Sequence, residues 1–97
     1  MPFSMTSTVS RIPSAMVAPV GEDLIILGLA SNSYIALDAV GQRIWALVAE
    51  PVRVAELCRR LGEEFNGSAD QITLDVLAFL QELETEGLVH DARPASV

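Results

Sequence analysis

The stretch Ser33-Tyr34-Ile35-Ala36-Leu37-Asp38-Ala39-Val40-Gly41-Gln42-Arg43-Ile44-Trp45 constrains the fold most. Ser33 to Leu37 is a strand-sized apolar run. Asp38 ends it with a residue whose carboxylate suits the first free N–H groups of a helix. Beyond it the apolar positions Val40, Ile44, Leu47 and Val48 fall at spacings of 4, 3 and 1, one stripe of a helix with Trp45 on its flank. A strand therefore runs straight into a helix, and Pro51 closes that helix.

The segments on either side extend the pattern. Ala15 to Ala18 is a short candidate strand, and Pro19-Val20-Gly21-Glu22 is turn chemistry. Asp23 to Gly28 is a second strand. Its Leu24, Ile25, Ile26 and Leu27 are apolar without alternation, which predicts cover on both faces. Ala30-Ser31-Asn32-Ser33 is a further turn before the third strand, Ser33 to Leu37. Three short runs joined by tight turns predict an antiparallel meander. After the first helix, a second runs from about Arg53 to Phe65 with the stripe Val54, Leu57, Cys58, Leu61 and Phe65. Asn66-Gly67 stops it. Ser68-Ala69-Asp70-Gln71 has the spacing of a capping box and opens a third helix. That helix runs to about Glu86 with the core stripe Ile72, Val76, Phe79, Leu80 and Leu83, and Gly87 is its stop. Leu88 and Val89 pack back as a short strand.

The order predicts an α+β domain of winged-helix shape, a three-stranded antiparallel sheet followed by three helices. Its expected bounds are residues 13–90, with a flexible tail over 1–12 and a second tail over 91–97. Ninety-seven residues suffice for one domain.

Charge narrows the partners. The net charge is −7 and every cation is an Arg. Such a chain repels phosphate backbones, so nucleic acid is not expected as a partner. A neutral or basic peptide fits better than an acidic one. No apolar run approaches the ~18 residues that span a bilayer, and the N-terminus lacks the basic and apolar regions of a secretory signal. The expectation is a cytoplasmic protein with no membrane partner, a monomer or weak dimer.

The residues that could carry chemistry are few. Cys58, the single cysteine, lies on the apolar stripe of the second helix and reads as a buried structural thiol. His90, the single histidine, has no nucleophile placed beside it by any motif. One Cys and one His cannot build a four-ligand metal site. No catalytic residue, metal or cofactor is expected. Two features point instead to binding. The third strand lacks simple alternation, and at a sheet edge its free N–H and C=O groups would be a template for another strand. The third helix carries Leu74, Leu77, Ala78 and Gln81 at i, i+3, i+4 and i+7, a stripe apart from its core stripe.

These pieces together resemble the PqqD-like family of peptide-binding domains, the RiPP recognition elements. The carriers are Ser33-x-Ile35-x-Leu37-Asp38 at the strand-to-helix join, Gly41-x-x-Ile44-Trp45, and Val54-x-x-Leu57 with Leu61. In the third helix they are Ile72-x-x-Asp75-Val76-x-x-Phe79-Leu80-x-x-Leu83, followed by Gly87-Leu88. The resemblance spans roughly Pro13 to Val89. It implies that the leader of a ribosomally made precursor peptide binds as an added strand against the third strand, in the cleft formed with the third helix. On this chain that points to Asn32, Ser33, Tyr34, Ile35, Ala36, Leu37, Leu74, Asp75, Leu77, Ala78 and Gln81. A short chain with the Asp-x-x-Gly-x-x-Ile-Trp pattern looks most like the leader-binding partner of lasso-peptide synthesis, which serves a separate leader peptidase. An alternative within the family is a peptide chaperone for a radical SAM enzyme in quinone cofactor synthesis. A winged-helix DNA-binding regulator is the rival outside it, and Asp70, Asp75, Glu82, Glu84 and Glu86 on a third helix without cations oppose it.

Two features depart from the family pattern. Val52-Arg53 offers no side-chain cap, so the first turn of the second helix is expected to fray. The N-terminal tail is long, and one expected consequence is that it docks on the third strand.

Overall fold

The computed structural model describes residues 3–12, 15–28, 30 and 34–92. The elements are β1 (Thr8–Arg11), β2 (Val17–Val20), β3 (Asp23–Leu27), β4 (Tyr34–Leu37), α1 (Ala39–Leu47), β5 (Val52–Arg53), α2 (Val54–Glu64), α3 (Ala69–Thr85) and β6 (Val89–Asp91). They form two antiparallel sheets, β2-β3-β4 and β5-β1-β6, around three helices.

The first sheet is the expected meander. The loop Gly21-Glu22 joins β2 to β3, and Gly21 sits at φ 63°, the left-handed geometry that matches a two-residue hairpin to the strand twist. The junction into α1 follows the local chemistry: Asp38 Oδ1 accepts from the Gly41 N–H at 2.8 Å. A Cβ at Gly41 would stand 3.3 Å from the Leu37 Cβ, so glycine lets the first turn of α1 lie close against the end of β4.

α3 begins as expected at Ser68, whose hydroxyl accepts from the Gln71 N–H at 3.1 Å. The reciprocal half of the capping box is not formed, because the Gln71 amide donates to Asp75 Oδ1 instead. The helix ends at Gly87, φ 77°, where Gly87 N–H donates to Glu84 O and Leu88 N–H to Leu83 O. That is the paired closure of a Schellman motif.

The second sheet corrects the expectation of a flexible tail over residues 1–12. β1 is its central strand, pairing Val9 with both Val52 and Asp91. Val9 is fully buried and Phe3 nearly so. The sheet also takes Asp91 out of the expected C-terminal tail, and Ala92 N–H donates to Thr8 O at 2.7 Å. Residues 93–97 lie outside the described residues, as do Pro13 and most of the expected turn at 30–33.

The N-terminal segment also corrects the expected fraying of α2. Arg53 provides no side-chain cap, but the Val54 and Ala55 N–H groups donate to Ser7 O and Met5 O at 2.9 and 3.1 Å. Arg11 adds a side-chain clasp. Its guanidinium lies 5.1 Å from the Trp45 ring centroid and donates to Trp45 O at 3.2 Å. The core joins Ile26 and Leu37 of the first sheet to Ile44, Val54, Leu57, Leu61, Val76, Leu80 and Leu83 of the helices, and to Val9 and Val89 of the second sheet. Cys58 is buried in it as expected; burial raises its thiol pKa, partly offset by a hydrogen bond with Thr73.

Candidate functional site

Among the described residues β4 is an edge strand, because only β3 pairs with it. The register shows which of its backbone groups are free. In an antiparallel ladder both groups of one residue face the same neighbour, and alternate residues face opposite neighbours. Leu27 N–H donates to Met16 O, so Leu27, Ile25 and Asp23 face β2. Leu24 and Ile26 therefore face β4, where their partners are Leu37 and Ile35. Tyr34 and Ala36 are left with N–H and C=O turned to the open edge.

The opposite edge differs. On β2 the outward-turned residues are Val17 and Pro19, and proline has no N–H to offer. The sheet is thus blocked as a template on one side and open on the other.

Beside the open edge lies a cleft of about 470 Å³. Ala36, Leu37 and Asp38 form its β4 side, while Gly41, Ile44, Leu61 and Phe65 contribute from α1, α2 and the end of α2. The α3 wall is Gln71, Ile72, Asp75, Val76, Phe79 and Glu82. The floor is apolar, and the charged lining groups are the carboxylates of Asp38, Asp75 and Glu82. Asp38 and Asp75 each accept one hydrogen bond from their own helix. Several arginines are engaged elsewhere: Arg11 on Trp45, Arg43 with Glu64, and Arg59 and Arg60 with Glu56. The Arg43 guanidinium holds the Glu64 carboxyl below its ordinary range. The described N-terminal residues do not cover this edge, because β1 pairs in the other sheet.

The sequence-predicted residues divide. Ala36, Leu37 and Asp75 line the cleft. Tyr34 and Ile35 lie on β4, with Ile35 packed against the core and Tyr34 75% exposed. Asn32 and Ser33 fall outside the described residues. Leu74, Ala78 and Gln81 are exposed on α3 away from the cleft lining, and Leu77 packs half-buried against the core. The α3 wall instead comes from the flank of the stripe read as core. Val76, Leu80 and Leu83 are buried, whereas Ile72 and Phe79 are only half-buried and open onto the cleft. Five apolar positions make a wide stripe, and the packed helices and sheets cover only one side of it. Sequence reasoning missed Ile72, Phe79 and Glu82 as cleft residues; the width of that stripe was the signal available.

His90 is exposed on β6 opposite Ser10. Among the described residues no three His, Cys, Asp or Glu side chains group to hold a metal ion. Among them also, no helix is long and apolar enough to cross a membrane.

The family model described as Coenzyme PQQ synthesis protein D (PqqD) matches residues 23–89. The chain belongs to the PqqD family. The fold is also similar to a solved structure described as TbiB1 in complex with the TbiA(beta) leader peptide. The two chains share 25% identity with a TM-score of 0.68, and the match covers 91% of this chain and 99% of that one. No curated protein matches the chain.

Proposed function

We propose that this protein is a non-catalytic RiPP recognition element. It captures the leader of a ribosomally made precursor peptide as an added strand on β4 and presents it to a separate enzyme, a leader peptidase of lasso-peptide synthesis. The observation that carries this is the open β4 edge running along a cleft with an apolar floor. Strand addition draws affinity from the backbone ladder and specificity from side-chain pockets. Here the ladder is offered by Tyr34 and Ala36. The peptide side chain between those two pairs points into the cleft, against Ile72 and Phe79, with Asp75 at the rim. The similarity to TbiB1, whose structure is described as a complex with a leader peptide, supports a leader as the captured partner.

The carboxylates of the cleft and the net charge of −7 favour a leader that is neutral or basic. The setting is the cytoplasm, where precursors are made. The family description favours a second reading, a chaperone for a radical enzyme of quinone cofactor synthesis. Both are tested by calorimetry with the product of a short open reading frame beside this gene, followed by pull-down of the encoded enzymes. One-to-one binding with recovery of a peptidase is expected. Recovery of a radical enzyme selects the second reading, and no peptide binding at all rejects both.

A further inference from the structure

The sheet β2-β3-β4 has an outer face that nothing in the described chain covers. The unbroken apolar run in β3 predicted cover on both faces. The inner parity, Leu24 and Ile26, does pack into the core. The outer parity does not: Ile25 and Leu27 are half-exposed, and their cross-strand neighbours are Ala18, Ala36 and Tyr34. Met16, next to Leu27, is 64% exposed. Met16, Val17, Ala18, Ile25, Leu27 and Tyr34 line a shallow depression of about 170 Å³, and Ala36 is the cross-strand neighbour of its Ile25.

Its relief follows from the register. One cross-strand row is Ala18–Ile25–Ala36, and the next carries Leu27 and Tyr34. Two alanines at the ends of the first row make it low, and Tyr34 stands as a wall along it. The row opens at β4, onto the same edge that offers the Ala36 backbone. Residues directly opposite in a ladder share a face, so a peptide residue paired with Ala36 must place its side chain on this outer face.

We propose that the outer face is a second recognition surface for the captured peptide, and that it takes a large aliphatic side chain opposite Ala36, laid over that alanine towards Ile25 and against Tyr34. The inference rests on peptide capture at β4. The peptide is then read on both sides of its strand: one parity enters the cleft, and the other lies on the outer face. This gives the exposed apolar row an occupant continuous with the peptide-binding edge. It also accounts for two features at once, the missing alternation in β3 and the small residues at its flanks.

The experiment uses the full chain and peptides recovered from a displayed library of random sequences. Each selected peptide is scanned with alanine and its affinity measured for wild type and for Ile25→Ser, with Leu27→Ser as the second variant. Both positions are half-exposed, and a thermal melt checks that each variant is folded. Losses are expected at alternating positions of both parities. The outer-parity losses should be about two- to fivefold, the size of a cross-strand pair, and should disappear in Ile25→Ser or Leu27→Ser. Losses confined to one parity overturn the proposal and leave capture at β4 standing. Outer-parity losses that persist unchanged in both variants also overturn it. Failure of wild type to select any peptide overturns capture itself, and this proposal with it.

Discussion

The Val54 N–H donates to the Ser7 carbonyl at 2.9 Å, joining the first turn of α2 to a segment 47 positions earlier in the chain. Ala55 repeats the contact with Met5. A helix whose N-terminal residue, Arg53, has no capping side chain obtains acceptors from another part of the backbone. The same segment buries Phe3 and supplies the central strand of the second sheet. The N-terminus is therefore part of the domain.

Removing residues 1–7 tests that role. The deletion takes away two acceptors of α2, each contributing about 1 kcal/mol, and the burial of Phe3, worth about 2 kcal/mol. A urea unfolding curve should show a loss of roughly 3–4 kcal/mol. Phe3→Ala alone should account for about half. Unchanged unfolding midpoints would show that the segment only rests on the surface.

The β4 ladder gives a sharper contrast. The Ile35 backbone faces β3 and the Ala36 backbone faces the open edge. Ala36→Pro should leave the protein folded, since proline is tolerated where an edge N–H faces outward. It should weaken peptide binding by about tenfold through one lost ladder bond and ring crowding at the edge. Ile35→Pro should unfold the sheet. If Ala36→Pro binds peptide as well as wild type, β4 is not the pairing strand.

Much of this fold was legible because its signals are local. Asp38 and Ser68 accept from the third residue beyond them, and Gly87 closes α3, all within a few positions. β1 was not legible because its reasons are distant. Thr8-Val9-Ser10-Arg11 holds one large apolar residue, and its partners are two residues of β5 and three of β6, more than 40 positions away. The cleft wall was half legible. Periodicity located an apolar stripe on α3, but which flank of it stays open depends on how α3 packs against the rest of the fold, a tertiary fact.

Acid should act on α2 through Glu56. Arg59 and then Arg60 hold its carboxyl down to about 2 from an ordinary 4.5 by hydrogen bonding. A depressed carboxyl stabilises the fold above its unfolded value. That contribution fades as pH falls from about 4.5 towards 2. These groups are fully exposed, so the effect is small and screened by salt. Unfolding midpoints of Glu56→Gln should show a shallower fall across that window than wild type at low ionic strength. An identical acid limb in the two proteins would show that the pair contributes nothing.

The Cys58 thiol should react slowly in the native state. It is buried, and desolvation raises its pKa, so little thiolate is present near neutrality. Alkylation monitored by mass should be slow until denaturant is added and should then run at the rate of a free thiol. Rapid labelling of the folded protein would mean that α2 opens locally.

The last prediction decides which face of α3 meets the peptide. Two faces were in contention: the exposed stripe of Leu74, Ala78 and Gln81, and the cleft wall of Ile72, Asp75 and Phe79. Leu74 is 63% exposed and stands outside the cleft lining, so Leu74→Asp places its charge in water. Binding and folding should both be close to wild type. Phe79 is half-buried and opens onto the cleft floor. Phe79→Asp would leave a carboxylate against Ile72 with no cation beside it, and a buried unpaired polar group costs about 1–3 kcal/mol. Peptide affinity should fall by about ten- to a hundredfold. Because Phe79 also packs on the core, Phe79→Leu serves as the control that keeps the apolar contact while changing its shape. It should stay folded and lose less affinity than the charged variant. Calorimetry paired with thermal melts separates the outcomes. If Leu74→Asp abolishes binding in a folded protein while both Phe79 variants keep it, the peptide lies on the exposed stripe and the cleft assignment is wrong.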